Sequence, residues 1–232
     1  MPFNEPRFSR IAALIADPTR ARMLSVLLGG EYRSAGELAI AAGITPQAAS
    51  TQLSQLLDNA LLTMRQQGRH KYFALADESV AHALEALAMV AERDAVGKRW
   101  AKPGYQPLKC ARRCYGHMAG ELGVAQFDML QRCAFLELGR MDLSKDSLQL
   151  TEAGRTWLDK LGVTLPNNLK SRLAYPCMDW SERCYHLAGS LANALLNHYV
   201  QQDWLRAGKQ SRALILTPKG QLQLLPLLKK NA

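Results

Sequence analysis

No apolar run in the 232 residues approaches the roughly 18 that a membrane-spanning helix needs, so a chain anchored by such a helix is not expected. The opening Met1-Pro2-Phe3-Asn4-Glu5-Pro6-Arg7 lacks a basic-then-apolar signal pattern, and the expected setting is cytoplasmic. Without an export pattern, an odd count of 5 cysteines does not suggest a disulfide framework; reduced, ligating or reactive thiols are the default. The glycine-rich dinucleotide and phosphate loops, the G-x-S-x-G elbow and the H-E-x-x-H zinc motif are all missing. A Cys-His nucleophile could be drawn from Cys114 and His117 or from Cys184 and His186, but no orienting Asn or Asp is fixed beside either, and no enzyme is expected. Acidic residues are also short, 20 against 29 Lys and Arg, giving a net charge of +9. The imbalance lies wholly in residues 98–232, which suits a nucleic-acid contact, an acidic ligand or a plain solvated basic surface. At 48% hydrophobic and 21% charged, the composition excludes disorder.

The first part of the chain reads as a series of helices with clear punctuation. Ile11, Leu14, Ile15, Met23, Leu24, Leu27 and Leu28 keep a helical period broken at Asp17-Pro18, which predicts two successive helices. Gly29-Gly30 ends the second, Ser34 caps a short third helix with Leu38, Ala39 and Ala42, and Gly43-Ile44 turns the chain. Thr45-Pro46 then starts a fourth helix running to about Asn59. Two helices joined by a glycine turn describe a helix-turn-helix. On the fourth helix Ala49, Leu53, Leu56 and Leu57 form the inner face, leaving Gln47, Ser50, Thr51, Gln52 and Ser54 on the rest. A solvated face is usually rich in Lys and Glu. This one has neither, and short uncharged side chains can enter a major groove to bond base edges. Two strand-like runs, 61–65 and 70–75, flank Gln66-Gln67-Gly68-Arg69 and predict a hairpin wing with Arg65, Arg69, His70 and Lys71 at its tip. A helix from about Ser79 to Arg93 follows, with Val80, Ala83, Leu84, Leu87 and Val90 on one face.

The stretches ADPTRARMLSVL, SAGELAIAAGITPQAASTQLSQLLDNALL and RQQGRHKYFAL resemble the winged helix-turn-helix of ArsR-type bacterial transcriptional regulators, over residues 8–93. The resemblance implies a homodimer packed through the first and last helices of the domain, bound to a partly palindromic double-stranded operator and repressing until an effector arrives. It carries base reading to Gln47, Ser50, Thr51 and Ser54 and wing contacts to Arg69 and Lys71; Thr45, Gln52 and Arg65 complete the expected DNA-binding set. Metal-sensing members place a cysteine pair in the third helix, where this chain has Glu37-Leu38-Ala39-Ile40-Ala41-Ala42. His82 and Glu85 make only half of a last-helix metal pattern and are expected to be surface polar groups. A sensor is therefore expected elsewhere.

Residues 97–109, rich in glycine, proline and cations, read as a linker between a domain at 1–96 and a region at 110–232. In that region RCYGHMAGEL (113–122) is echoed by RCYHLAGSL (183–191), FLELGR (135–140) by WLRAGK (204–209), and LQLTEAG (148–154) by LILTPKG (214–220). Three echoes in one order predict an internal duplication of about 110–162 and 177–228. Each copy reads as helix, helix, glycine turn, short strand and closing helix, the last holding Trp157, Leu158 and Leu161 or Leu222, Leu225 and Leu228. The expected fold class is mainly α with small β-wings, an α+β arrangement in which a winged helix-turn-helix precedes a duplicated winged-helix-like region.

Cys110, Cys114 and His117 fall at i, i+4 and i+7, one stripe of a helix, and Cys177, Cys184 and His186 surround the second copy. Three roles are open to these six. They can pack, as buried cysteines commonly do. They can act as a thiol switch toward an oxidant or electrophile, activated by Arg112, Arg113 and Arg183. They can bind zinc, copper(I) or a metalloid, although no cofactor is required and the spacing matches no zinc pattern. Cys133 is expected in the core. The combined expectation is an effector-responsive DNA-binding repressor whose C-terminal region senses a small molecule, an oxidant or a metal. The alternatives are a ligand-independent DNA-binding scaffold and, less well supported, a Cys/His enzyme.

Overall fold

A computed structural model describes residues 8–91, 106–138, 147–165, 172–208 and 211–229. The chain divides into two compact units, which meet at Leu84 and Glu85 inside one helix; 210–212 also belong to the first.

The first unit starts with α1 (Phe8–Ala16) and α2 (Pro18–Leu27). They are separated because Asp17 is extended, and its Oδ1 accepts from the Thr19 and Arg20 N–H groups, both at 2.9 Å. After the short strand β1 (Arg33–Ser34), α3 (Ala35–Ala42) opens on a capping box between Ser34 and Glu37 and ends at Gly43 in the left-handed conformation. Thr45 caps α4 (Pro46–Asp58), accepting from the Ala48 N–H. The hairpin β2 (Leu62–Gln67) and β3 (His70–Leu75) pairs Gln67 with His70 across a two-residue loop, and β1 adds to its β3 side. Met23, Leu24, Leu27, Leu38, Leu53, Leu56 and Phe73 form the buried interior. Leu57, expected there, is only half-buried. Arg20 ties three helices together: its Nε donates to Leu14 O (2.7 Å) and one terminal nitrogen to Gln52 and Gln55 Oε1 (2.7 and 2.9 Å). Helix α5 (Glu78–Ala91) buries Ala81, Leu84 and Glu85 and leaves Leu87 and Val90 exposed, so Glu85 is not the surface group expected.

The second unit continues through α6 (Gln106–Cys110), β4 (Arg112–Cys114), β5 (His117–Ala119), α7 (Glu121–Arg132), β6 (Leu136–Leu138), β7 (Leu148–Leu150) and α8 (Glu152–Leu161). It then runs through β8 (Tyr175–Met178), β9 (Tyr185–Ala188), α9 (Ser190–Gln201), β10 (Leu205–Ala207), β11 (Leu214–Leu216) and α10 (Pro218–Lys229). The order hairpin, helix, hairpin, helix thus occurs twice. The leading element of each echo is an antiparallel hairpin, not the expected helix, and the last residues of the expected linker form α6. Residues 97–105 of that linker lie outside the described residues.

Equivalent details recur. Gly120 and Gly189 precede α7 and α9 at φ 83° and 95°, and Thr151 and Thr217 each receive a side-chain hydrogen bond from the backbone N–H three residues on, at Gly154 and Gly220. The halves also interlock reciprocally: Leu148 N–H donates to Ala174 O (2.8 Å) beside the second hairpin, and Leu214 N–H donates to Ala111 O (2.9 Å) beside the first. One core joins them, with Leu130, Trp157 and Leu158 packed among Leu191, Leu195, Tyr199 and Leu224. In the closing helices the inner positions are Trp157 and Leu158, and Leu224 and Leu228; Leu222 points outward at 75% exposure. Cys133 is half-buried against this core.

Candidate functional site

In the first unit α4 presents Gln47, Ser50, Thr51 and Ser54 to solvent. The Ser50 hydroxyl donates to Pro46 O (3.0 Å) and that of Thr51 approaches Gln47 O (3.5 Å), leaving both oxygens able to accept. Thr45 is exposed, with its oxygen committed to the cap. Gln52 departs from expectation. It is half-buried, and its Oε1 takes the Arg20 bond, so it packs α4 onto α2 and does not face outward. At the wing Arg69, His70 and Lys71 are exposed around the β2–β3 loop, where Gly68 sits at φ 60°. Arg65, further from the tip, lies 4.6 Å over the Tyr32 ring.

The second unit brings together four of the six thiol and imidazole residues. Cys114 stands opposite His117 across β4 and β5, and Cys177 opposite His186 across β8 and β9. The hairpins face each other, and one ligand atom from each of Cys114, His117, Cys177 and His186 lies within 4.8 Å of all the others. The His117 and His186 rings are 5.1 Å apart. All four side chains are buried. Cys110 and Cys184 are not in the group: Cys110 ends α6, half-buried, and Cys184 is exposed on the long β8–β9 loop. The counterpart of Cys114 is therefore Cys177, although the RCY echo aligns it with Cys184. The stripe of Cys110, Cys114 and His117 on one helix is likewise replaced by a strand pair.

Behind the group is a charged network that the sequence did not reveal. Asp179, wholly buried, accepts at Oδ1 from Arg112 (2.7 Å) and from the backbone and hydroxyl of Ser181 (2.9 and 2.8 Å). Its Oδ2 accepts from the Gly120 N–H (2.7 Å) and lies 3.2 Å from His186 Nδ1. Arg112 is equally buried, donates also to Leu108 O, and stacks 4.5 Å over Trp180. Burial works against the Asp179 carboxylate, but His186 and Arg112 outweigh it and hold its pKa far below the usual range. For His186 burial opposes the charge, yet Asp179 and the Cys114 sulfur raise its pKa to about 9. A hydrogen bond with Cys177, reinforced by burial, pushes the Cys114 thiol well above its ordinary value, and burial raises Cys110 too. Arg112, committed to Asp179, does not make Cys114 the low-pKa thiolate that flanking arginines suggest in the sequence.

Residues 15–65 match a helix-turn-helix domain family. The chain is 35% identical over 219 residues, 94% of its own length and 95% of the other, to a protein described as the uncharacterized HTH-type transcriptional regulator YdfF of Bacillus subtilis (strain 168). It is 38% identical over 87 residues, 38% of this chain and 73% of the relative, to the HTH-type transcriptional regulator CmtR of Mycobacterium tuberculosis. The solved structure of the cadmium metal-sensor CmtR from that organism covers 39% of this chain and 99% of its own, at 34% identity and a TM-score of 0.32. With one regulator matched along nearly its whole length, and with α3, α4 and the wing in the order a DNA-reading module requires, the chain belongs to the ArsR-type winged helix-turn-helix transcriptional regulators.

Proposed function

We propose that this regulator is an effector-responsive repressor that binds a partly palindromic operator as a homodimer, with the second unit as its sensing part. The observation that carries the reading is the outer face of α4. Gln47, Ser50, Thr51 and Ser54 are exposed and uncharged, while the wing carries the exposed cations Arg65, Arg69 and Lys71. Base edges are read by such polar groups and phosphates by the cations, so the two sets divide specificity from affinity. The dimer reading is supported by large apolar side chains left in solvent on the helices that the resemblance assigns to the interface: Phe8 on α1, and Leu87 and Val90 on α5. A twofold axis then sets two α4 helices about one DNA turn, roughly 34–36 Å, apart. The recurring element order and reciprocal hydrogen bonds of the second unit support its reading as an internal duplication.

Footprinting upstream of the protein's own gene, followed by fluorescence anisotropy on the protected duplex and on random DNA, tests the operator reading. Gln47→Ala is expected to lose about 1–3 kcal/mol on the operator and little on random DNA. Arg69→Ala and Lys71→Ala are expected to weaken both and to reduce the salt slope by about one each. Equal losses for Gln47→Ala on both duplexes contradict the assignment of α4 as the reader. Sedimentation of the full chain tests the dimer, and a monomer bound to a single half-site contradicts it.

A further inference from the structure

From the four converging side chains we infer that the second unit binds one zinc-class divalent cation, held by Cys114, His117, Cys177 and His186, which clasps its two halves together. Two sulfurs and two imidazole nitrogens are the borderline donor set that zinc takes in closed, four-coordinate sites. Zn–S bonds of about 2.3 Å and Zn–N bonds of about 2.0–2.1 Å require donor separations of about 3.3–3.8 Å in a tetrahedron. The four donors already lie within 4.8 Å of one another, so closure of about 1 Å completes the geometry. Two hairpins are needed to assemble the set, because each strand pair offers only one cysteine and one histidine.

The surroundings select the ion and the role. Asp179 Oδ2 faces His186 Nδ1, which leaves Nε2 for the cluster and supplies the outer carboxylate that metal-bound histidines usually have. Arg112 already balances that carboxylate, so two cysteine thiolates and a divalent ion make a second neutral group. Two thiols are too few for inorganic arsenite, which takes three, and paired imidazoles suit zinc better than copper(I). Burial of all four donors leaves no open position for water or substrate, the arrangement of a structural and not a catalytic ion. The site lies on the second unit, and this inference does not depend on the operator reading.

The full chain, purified reduced and stripped with a chelator, is titrated with Co2+ and then Zn2+. The expected result is one ion per chain, the intense visible absorption of tetrahedral Co2+ with a thiolate charge-transfer band, and displacement of that spectrum by Zn2+. Cys114→Ala and Cys177→Ala each abolish the thiolate-tetrahedral signature; Cys110→Ser and Cys184→Ser keep it. Asp179→Asn is expected to weaken affinity about ten- to a hundredfold. Thermal unfolding of the parent protein, followed by tryptophan emission, shifts to lower temperature when the ion is removed. An octahedral Co2+ spectrum, no ion bound by the reduced parent protein, or a parent-like spectrum in the Cys114→Ala and Cys177→Ala proteins overturns the site. Because the stripped parent protein is itself decisive, a variant that fails to fold does not shelter the idea. An unfolding temperature indifferent to the ion overturns the clasp.

Discussion

Asp179→Ala exposes most directly what holds the second unit together. The substitution removes the counter-charge of Arg112, a guanidinium with no solvent exposure, and also the acceptor of the buried Gly120 N–H. Breaking a buried pair by deleting one partner costs about 3–5 kcal/mol, since the remaining charge stays desolvated. The Leu108 carbonyl, the Ser181 hydroxyl and the Trp180 ring still contact Arg112, so the middle of that range, about 4 kcal/mol, is expected. With a urea slope of about 2 kcal/mol/M, the unfolding midpoint falls by about 2 M, a large share of a typical domain's stability. The sequence has no tryptophan before position 100, and Trp157, Trp180 and Trp204 lie in the second unit, so tryptophan emission follows that unit without interference from the first. Arg112→Ala and the double variant complete a cycle. Losing the second partner after the first no longer strands a charge, so the double variant is expected to cost clearly less than the sum. A midpoint shift below about 0.5 M for Asp179→Ala, or additivity within about 0.5 kcal/mol, would refute the argument that this pair organises the unit.

Further outcomes follow from local features. Ser34→Ala removes half of the α3 capping box and is expected to destabilise the first unit by about 1 kcal/mol, read by hydrogen exchange along α3. The Ser34 backbone N–H, against opposing burial, holds the Glu37 carboxyl below its ordinary 4.5. Its contribution is therefore complete above about pH 4.5 and lost as pH falls through the lowered folded value, which an acid titration of the same amides tests. Gln52→Ala is expected to weaken operator and random DNA alike, because it loosens α4 from Arg20 without removing a base contact; selective loss on the operator contradicts that. Gly189→Ala puts a Cβ 2.7 Å from the Arg172 and Leu173 carbonyls at φ 95°, and is expected to lower the urea midpoint of the second unit, where an unchanged midpoint contradicts the strain.

The two units were legible to different degrees, for a physical reason. Helix starts and stops in the first unit are written within a few residues: Asp17 before Pro18, Ser34 three before Glu37, Thr45 before Pro46, and Gly43 and Gly68 where the backbone must turn. Local signals of this kind survive reading one residue at a time. Gln52 did not, because its partner Arg20 lies 32 residues away. In the second unit β5 buries all of His117, Met118 and Ala119, so the alternation that marks a half-exposed strand is absent, and the i, i+4, i+7 spacing imitated a helix. The RCY echo misled in a more specific way. His117 and His186 each stand opposite a cysteine across a strand pair, but the first hairpin places its cysteine three residues before the histidine and the second nine residues before, on the far side of a longer loop. Aligning the shorter interval therefore chose the exposed Cys184 over Cys177. Asp179 sits in that same loop, 67 residues from Arg112, with nothing beside it in sequence to announce a buried charge. What groups these residues is position across a strand pair, and repeated across two hairpins it yields a four-donor cluster from intervals that no single ligand-spacing rule describes. A search for such clusters should compare the residues facing each histidine across candidate hairpins, allowing the loop between them to vary, instead of fixing the interval.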